Sequence, residues 1–213
     1  MSYQAYVFDL DGTLLDTLGD LAASTNYAMR EMGWPEHSVG DVRMFVGNGV
    51  AKLIERATPG GLSNLNYAQA LAVFRNHYTL HQLDTTHPYP GILPLLRRLK
   101  KQGKAIAVVS NKFDAATKSL CRHFFSSLID VAIGENEHIR KKPAPDTVVE
   151  ALRQLGVSTG QSVYVGDSDV DIATARNCGI PCISVLWGFR DKEFLLEHGA
   201  TLLVSSPDEI LPE

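Results

Sequence analysis

"AYVFDLDGTLLDT", residues 5–17, carries a run of strand-forming apolar side chains straight into two carboxylates, Asp9 and Asp11, followed by a glycine. The run Tyr6–Leu10 is continuously apolar rather than alternating, so it predicts a strand buried on both faces, as in a parallel sheet. Gly12 permits a sharp turn after the strand, which lets Asp9 and Asp11 project around one point above the sheet edge. Two like charges so close repel, and either a cation neutralises them or one keeps a proton. Each remedy is chemically useful, because a hard divalent ion accepts carboxylate oxygens and a protonated partner is a general acid. Against this stands a plainer reading, a strand end with an Asp-Gly turn whose acids only cap the backbone.

Five more β-rich runs follow, at Ala105–Ser110, Leu128–Gly134, Val163–Gly166, Cys182–Leu186 and Leu202–Val204, most of them separated by segments of helical periodicity. The pattern predicts an α/β fold, a doubly wound, Rossmann-like parallel sheet with helices on both faces and its active site at the carboxyl ends of the strands. Residues 16–88 intervene between the first and second strands without a convincing strand of their own, and read as an inserted helical domain, leaving 1–15 and 89–213 as the core. In the first inserted helix Leu18, Leu21, Ala22, Thr25, Met29 and Met32 recur at spacings of three and four, with Thr17 and Asp20 placed as a capping box.

The chain has 213 residues, 45% of them hydrophobic, enough to bury a substantial core. Its net charge of −4 is not clustered, so a nucleic-acid or membrane surface is not expected as a partner, and small molecules are. No apolar run reaches the roughly 18 residues of a membrane span, and the N-terminus lacks a signal-like pattern, so the expected location is the cytosol. Cys121, Cys178 and Cys182 form no paired framework, and no disulfide is expected.

Other acids and donors gather at predicted strand ends. "VVSNK", residues 108–112, closes the second strand with Ser110, Asn111 and Lys112, where an anionic oxygen could be held. "RKKPAPD", residues 140–146, offers Lys142 before Pro143, whose ring favours the start of a helix. "VYVGDSDVDIATARNCG", residues 163–179, places Asp167 and Asp171 four apart at a helix start, on one helical face. Its alternating acids are not a calcium loop, since Ile172 and Cys178 stand where Gly and Glu are needed. His77 and His81 lack a third zinc ligand, and Cys178 and Cys182 lack a partner pair.

Taken in order, Asp9-Leu10-Asp11-Gly12-Thr13, Ser110, Lys142 before Pro143, and Gly166 to Asp171 resemble the four motifs of the haloacid dehalogenase superfamily of phosphatases across essentially the whole chain. The resemblance implies that Asp9 is a nucleophile forming an aspartyl-phosphate and Asp11 the acid/base. It further implies Mg²⁺ held by Asp9, the main-chain carbonyl of Asp11, and Asp167, with Asp171 acting through water or as an orienter of ligands. Ser110 and Asn111 would grip the phosphoryl oxygens, and Lys142 would offset the negative charge. Charge counting agrees, because several carboxylates and a phosphate dianion cannot share a pocket without a divalent ion and a further cation.

The insertion matches the position of the family's helical cap, which closes over the site and contributes specificity. Within it "VRMFVGNGVAKLIERA", residues 42–57, offers Arg43 and a helix beginning near Asn48 to an anionic group. This segment, "PYPGI" at 88–92 and "SNK" are similar to phosphoglycolate phosphatases, which implies a small anionic substrate such as 2-phosphoglycolate. A sugar-phosphate mutase or pyrophosphatase on the same scaffold is the alternative, and a non-catalytic phosphoryl-accepting module a more distant one.

Overall fold

The strand that opens the chain, β1 (Ala5–Phe8), sits inside a six-stranded sheet in the computed structural model, which describes residues 3–211. The chain next forms β2 (Leu15–Asp16) and, after a long helical excursion, β3 (His87–Pro88), which make a separate two-stranded sheet. The six-stranded sheet is completed by β4 (Ala105–Phe113), β5 (Val131–Glu135), β6 (Ser162–Gly166), β7 (Cys182–Val185) and β8 (Leu202–Val204), in the order β5-β4-β1-β6-β7-β8. Every pairing is parallel, with Phe8 opposite Val108 on one side and Val165 on the other.

Burial on both faces follows from the alternation of side chains along each strand. Tyr6, Phe8, Ile106, Val108, Val163 and Val165 share one apolar cluster with α5 (Ile92–Lys101) and α6 (Asp114–Phe125). Ala5, Val7, Ala107, Val109 and Tyr164 face the other way, onto α7 (Asp146–Leu155) and α8 (Asp169–Cys178). Each fully buried large side chain contributes about 1.5–3 kcal/mol by leaving water. The α/β, doubly wound architecture is the one that the strand pattern predicts.

The chain divides into two compact units, residues 1–15 with 88–213, and Asp16–His87. The second unit is helical: α1 (Leu18–Glu31), α2 (Val39–Phe45), α3 (Val50–Ala57) and α4 (Tyr67–His81). On α1 the stripe Leu21, Ala22, Thr25 and Met29 is buried as predicted, while Met32 lies one residue past the helix as its C-cap. The last helix of the chain is α9 (Lys192–Glu197). Among the described residues no helix is long and apolar enough to cross a membrane, and the three cysteines are free thiols.

Three local expectations are corrected. Thr17 makes no side-chain cap, and the buried Asp20 turns instead to Thr85 and Thr86, accepting from their N–H groups at 2.8 and 3.0 Å and from their hydroxyls at 2.6 and 2.7 Å. Four donors outweigh the single backbone bond that a capping box would have offered. The third core strand starts at Val131 rather than Leu128, because Ser126–Leu128 forms a 3₁₀ turn whose Leu128 and Ile129 satisfy their apolarity by packing on the sheet's core. Asp167 also shares no helical face with Asp171. The N-cap of α8 is Ser168, so Asp167 remains in the turn after β6.

Candidate active site

Asp9 follows β1 directly, and the ladder extends to it, since its N–H donates to Val165 O at 2.9 Å. Its Oδ1 accepts from Leu10 N–H at 2.7 Å and lies 2.8 Å from Lys142 Nζ. Among the described residues no donor meets Oδ2. Lys142 enters from the loop before α7, its ammonium almost wholly buried, and bonds Asp171 Oδ1 at 2.8 Å and the Tyr164 hydroxyl at 3.0 Å. Tyr164 in turn donates to Asp171 Oδ1 at 2.9 Å. The other oxygen of Asp171 accepts from the Ser168 hydroxyl at 2.6 Å and its N–H at 3.1 Å, a capping box that ties α8 to this cluster.

Asp167 is gripped from two sides. Thr13 Oγ1 donates to its Oδ1 at 3.0 Å and Phe189 N–H to its Oδ2 at 2.8 Å. Gly12, at φ 83°, makes the turn that brings Thr13 back, and a Cβ there would run into the Asp167 carboxylate. Gly188 is needed for the same reason on the opposite side, where a Cβ would strike both Asp167 and Gly12 O. The loop after β7 is further fixed by Trp187 Nε1 donating to Thr13 O at 3.0 Å.

The second predicted acid has a different partner. Asp11 accepts from Lys112 Nζ at 2.8 Å through Oδ1 and 3.0 Å through Oδ2. Lys112 is 3% exposed and belongs to the carboxyl end of β4, where the register jumps from Val109 opposite Ile133 to Phe113 opposite Glu135. The bulge delivers Ser110, Asn111 and Lys112 to the site. Ser110 Oγ accepts from Lys112 N–H at 3.2 Å, and Asn111 Nδ2 donates to the main-chain oxygen of Lys142 at 3.1 Å, so Asn111 also braces the lysine loop.

Charge is concentrated here. Asp9, Asp167 and Asp171 each place an oxygen within 4.8 Å of the others, and all three are buried. Burial, then the neighbouring Asp171, pushes Asp9 well above the ordinary carboxylate range. The same two causes raise Asp167 to about 7, against the pull of Phe189 N–H, Thr13 and Lys142. Burial opposes the charge on Lys142, yet Asp171 and Asp9 beside it hold the ammonium above its usual value. Three carboxylates facing one ammonium leave two negative charges uncompensated, and all the donor atoms are hard oxygens. The set therefore fits a divalent cation. Asp171 accepts two donors on each oxygen, from Lys142 and Tyr164 and from the hydroxyl and N–H of Ser168, whereas Asp167 accepts one on each and Asp9 Oδ2 none among the described residues, so the oxygens best suited to a metal belong to Asp9 and Asp167.

The predicted residues Asp9, Asp11, Ser110, Asn111, Lys142, Asp167 and Asp171 all belong to the first unit, at the carboxyl ends of β1, β4 and β6, in the loop before α7 or, for Asp171, in the first turn of α8. Arg43 and Asn48 belong to the second. Asn48 Oδ1 accepts from Arg56 at 2.9 Å, and Arg56 also donates to Phe45 O at 2.7 Å, pinning the turn ahead of α3, whose N-cap is Gly49. His77 and His81 stack on each other at 4.2 Å, with His77 bonded to Ser24 at 3.0 Å. Sequence reasoning did not anticipate the roles of Thr13, Tyr164, Ser168 and Gly188, and it named Lys112 as a donor for an anionic oxygen without its pairing to Asp11. Ser168 had a usable signal, a Ser three residues before an Asp at a helix start. Tyr164 read as one more apolar strand residue.

Residues 6–185 match the family model described as haloacid dehalogenase-like hydrolase. A phosphoglycolate phosphatase of Mesorhizobium japonicum is 34% identical over 222 residues, covering 100% of this chain and 95% of its own. One from Pseudomonas putida is 33% identical over 214 residues, covering 97% of this chain and 75% of its own. A crystal structure from Lactobacillus delbrueckii subsp. bulgaricus, assigned provisionally as a phosphoglycolate phosphatase, superposes with a TM-score of 0.95 at 38% identity, over 99% of this chain and 97% of that one. Parallel strands that carry Asp9, Ser110 and Asp167 at their carboxyl ends, with a buried lysine set among the acids, are thus found in a chain whose sequence matches one family over most of its length: it belongs to the haloacid dehalogenase-like hydrolases.

Proposed function

We propose that the chain is a Mg²⁺-dependent phosphomonoester hydrolase of the cytosol that works through an aspartyl-phosphate on Asp9, with 2-phosphoglycolate as its leading substrate. The observation that carries this reading is the setting of Asp9. Lys142 and Leu10 N–H fix one carboxylate oxygen while the other meets no donor among the described residues, as a nucleophile aimed at an incoming group requires.

In this reading Asp9 Oδ2 attacks phosphorus and the bond to the ester oxygen breaks. Asp11 hands a proton to that oxygen as the alcohol leaves. Asp11 then takes a proton from a water that attacks phosphorus, the bond to Asp9 breaks, and inorganic phosphate departs with the nucleophile restored. Ser110 and Asn111 grip the phosphoryl oxygens, and Lys142 holds Asp9 in place and balances charge. Asp9, Asp167 and the main-chain carbonyl of Asp11 would hold Mg²⁺, with Asp171 orienting Lys142 and Ser168. Bound there, the ion supplies the positive charge that this acid cluster lacks, and with it stabilisation of the transferring phosphoryl group.

The helical unit Asp16–His87 is assigned the role of a cap, and Arg43 and the turn at Asn48 a share in recognising a second anionic group. The test is a panel of phosphate esters, pyrophosphate and sugar phosphates assayed with Mg²⁺, for wild type and Asp9→Asn. Phosphate release from 2-phosphoglycolate that Asp9→Asn abolishes in a folded protein supports the reading. Transfer to a second hydroxyl would make the chain a mutase, and turnover in folded Asp9→Asn would remove Asp9 as nucleophile.

A further inference from the structure

Two buried lysines serve this site, and they divide it. Lys142 lies among Asp9 and Asp171, on the side of the nucleophile and the acid cluster. Lys112 lies on Asp11, its ammonium 2.8 and 3.0 Å from the two carboxylate oxygens. A buried ammonium is costly to desolvate, and it is retained where an anion faces it.

An acid/base that protonates the departing alcohol must come within hydrogen-bond reach of the ester oxygen. Whatever is bonded to that oxygen is then a neighbour of Asp11, and hence of the ammonium that both Asp11 oxygens hold. Lys112 is delivered by the β4 bulge, with its N–H on Ser110 Oγ, so its charge stands on the sheet rather than on a mobile loop. We propose that Lys112 is a specificity residue of the core that pairs with a carboxylate on the leaving group, selecting phosphoesters whose alcohol carries a carboxylate next to the ester carbon. This rests on the assignment of Asp11 as acid/base and deepens the substrate reading: it places the reader of the carboxylate on the core strand β4, beside Ser110, in addition to any contribution from Arg43.

The test compares kcat/KM for 2-phosphoglycolate with that for 2-hydroxyethyl phosphate, in which a hydroxymethyl group replaces the carboxylate, for wild type, Lys112→Met and Lys112→Arg. Wild type prefers the carboxylated ester. Lys112→Met lowers that preference about tenfold or more, the range of one charge-assisted hydrogen bond, with the loss in KM larger for 2-phosphoglycolate, and Lys112→Arg restores part of it. Inhibition by glycolate weakens in Lys112→Met in parallel. If Lys112→Met does not fold, Lys112→Gln carries the same expectation. A wild-type preference that survives intact in the Met or Gln variant overturns the role of Lys112 and leaves the substrate reading standing. No preference in wild type overturns the substrate reading, and the role of Lys112 with it.

Discussion

Asp9 and Lys142 depend on each other in a way that mutation should expose. Lys142 is a charge partner held before the reaction begins, and removing one such partner costs on the order of a hundredfold in rate. Lys142→Ala is therefore expected to lose about that much in kcat/KM. It also leaves Asp9 and Asp171 buried without their cation, so the metal-free variant should be less stable by about 3 kcal/mol or more. Denaturant melts with chelator, set beside steady-state rates, check both parts. Near-normal kcat/KM would return this lysine to a structural role. Asp9 and Asp11 could be named from sequence because charged residues at the end of an apolar strand are expensive unless used, whereas Lys142, in the loop before α7, was named from the family resemblance. Tyr164 was hidden because a tyrosine in a buried strand looks apolar until its hydroxyl is seen on Lys142 and Asp171.

Elements are positioned by a few polar joints. Ser168 ties the start of α8 to Asp171 through a reciprocal capping box. Ser168→Ala should lower stability by about 1 kcal/mol and should also slow catalysis, because Asp171 then orients Lys142 less well; a change in melting temperature with unaltered kcat would separate the two effects against this account. In the helical unit Asp20 accepts four hydrogen bonds from Thr85 and Thr86. Asp20→Ala leaves four donors without their acceptor, those of Thr86 buried, and should cost about 3 kcal/mol, against about 1 kcal/mol if Asp20 were the capping residue that its spacing from Thr17 suggested. Thermal denaturation distinguishes these values. The error is instructive: a capping box is a local pattern, whereas Thr85 lies 65 residues away and nothing near Asp20 in sequence announces it. The strands, by contrast, were legible because burial on both faces writes itself as unbroken apolar runs.

Across the whole molecule the acid cluster should govern how stability responds to pH and metal. Asp167 is raised to about 7 by burial and Asp171, while an aspartate in an unfolded chain titrates near 3.9. A carboxyl raised on folding contributes stability that is fully present below the unfolded value and is lost as pH rises through the folded one. Without divalent ion, the protein is expected to melt at a lower temperature at pH 8 than at pH 6, and Mg²⁺ should raise the melting temperature more at pH 8. A metal-free protein equally stable at both would contradict the charge count that calls for a divalent ion. The division of the fold at Leu15 and His87 and the bulge in β4 set which residues join this cluster, and the bulge was invisible in sequence because "VVSNK" continues as extended chain.

The account stands on Asp9 as the covalent nucleophile, and chemical trapping tests that most directly. Protein quenched during turnover of a phosphoester with Mg²⁺ and reduced with borohydride converts an acyl phosphate to the corresponding alcohol, which peptide mass spectrometry locates. The account predicts reduction at residue 9, dependent on substrate and absent from Asp9→Asn. Turnover with no reducible acyl phosphate, or one found at Asp11 or Asp167 instead, would contradict it.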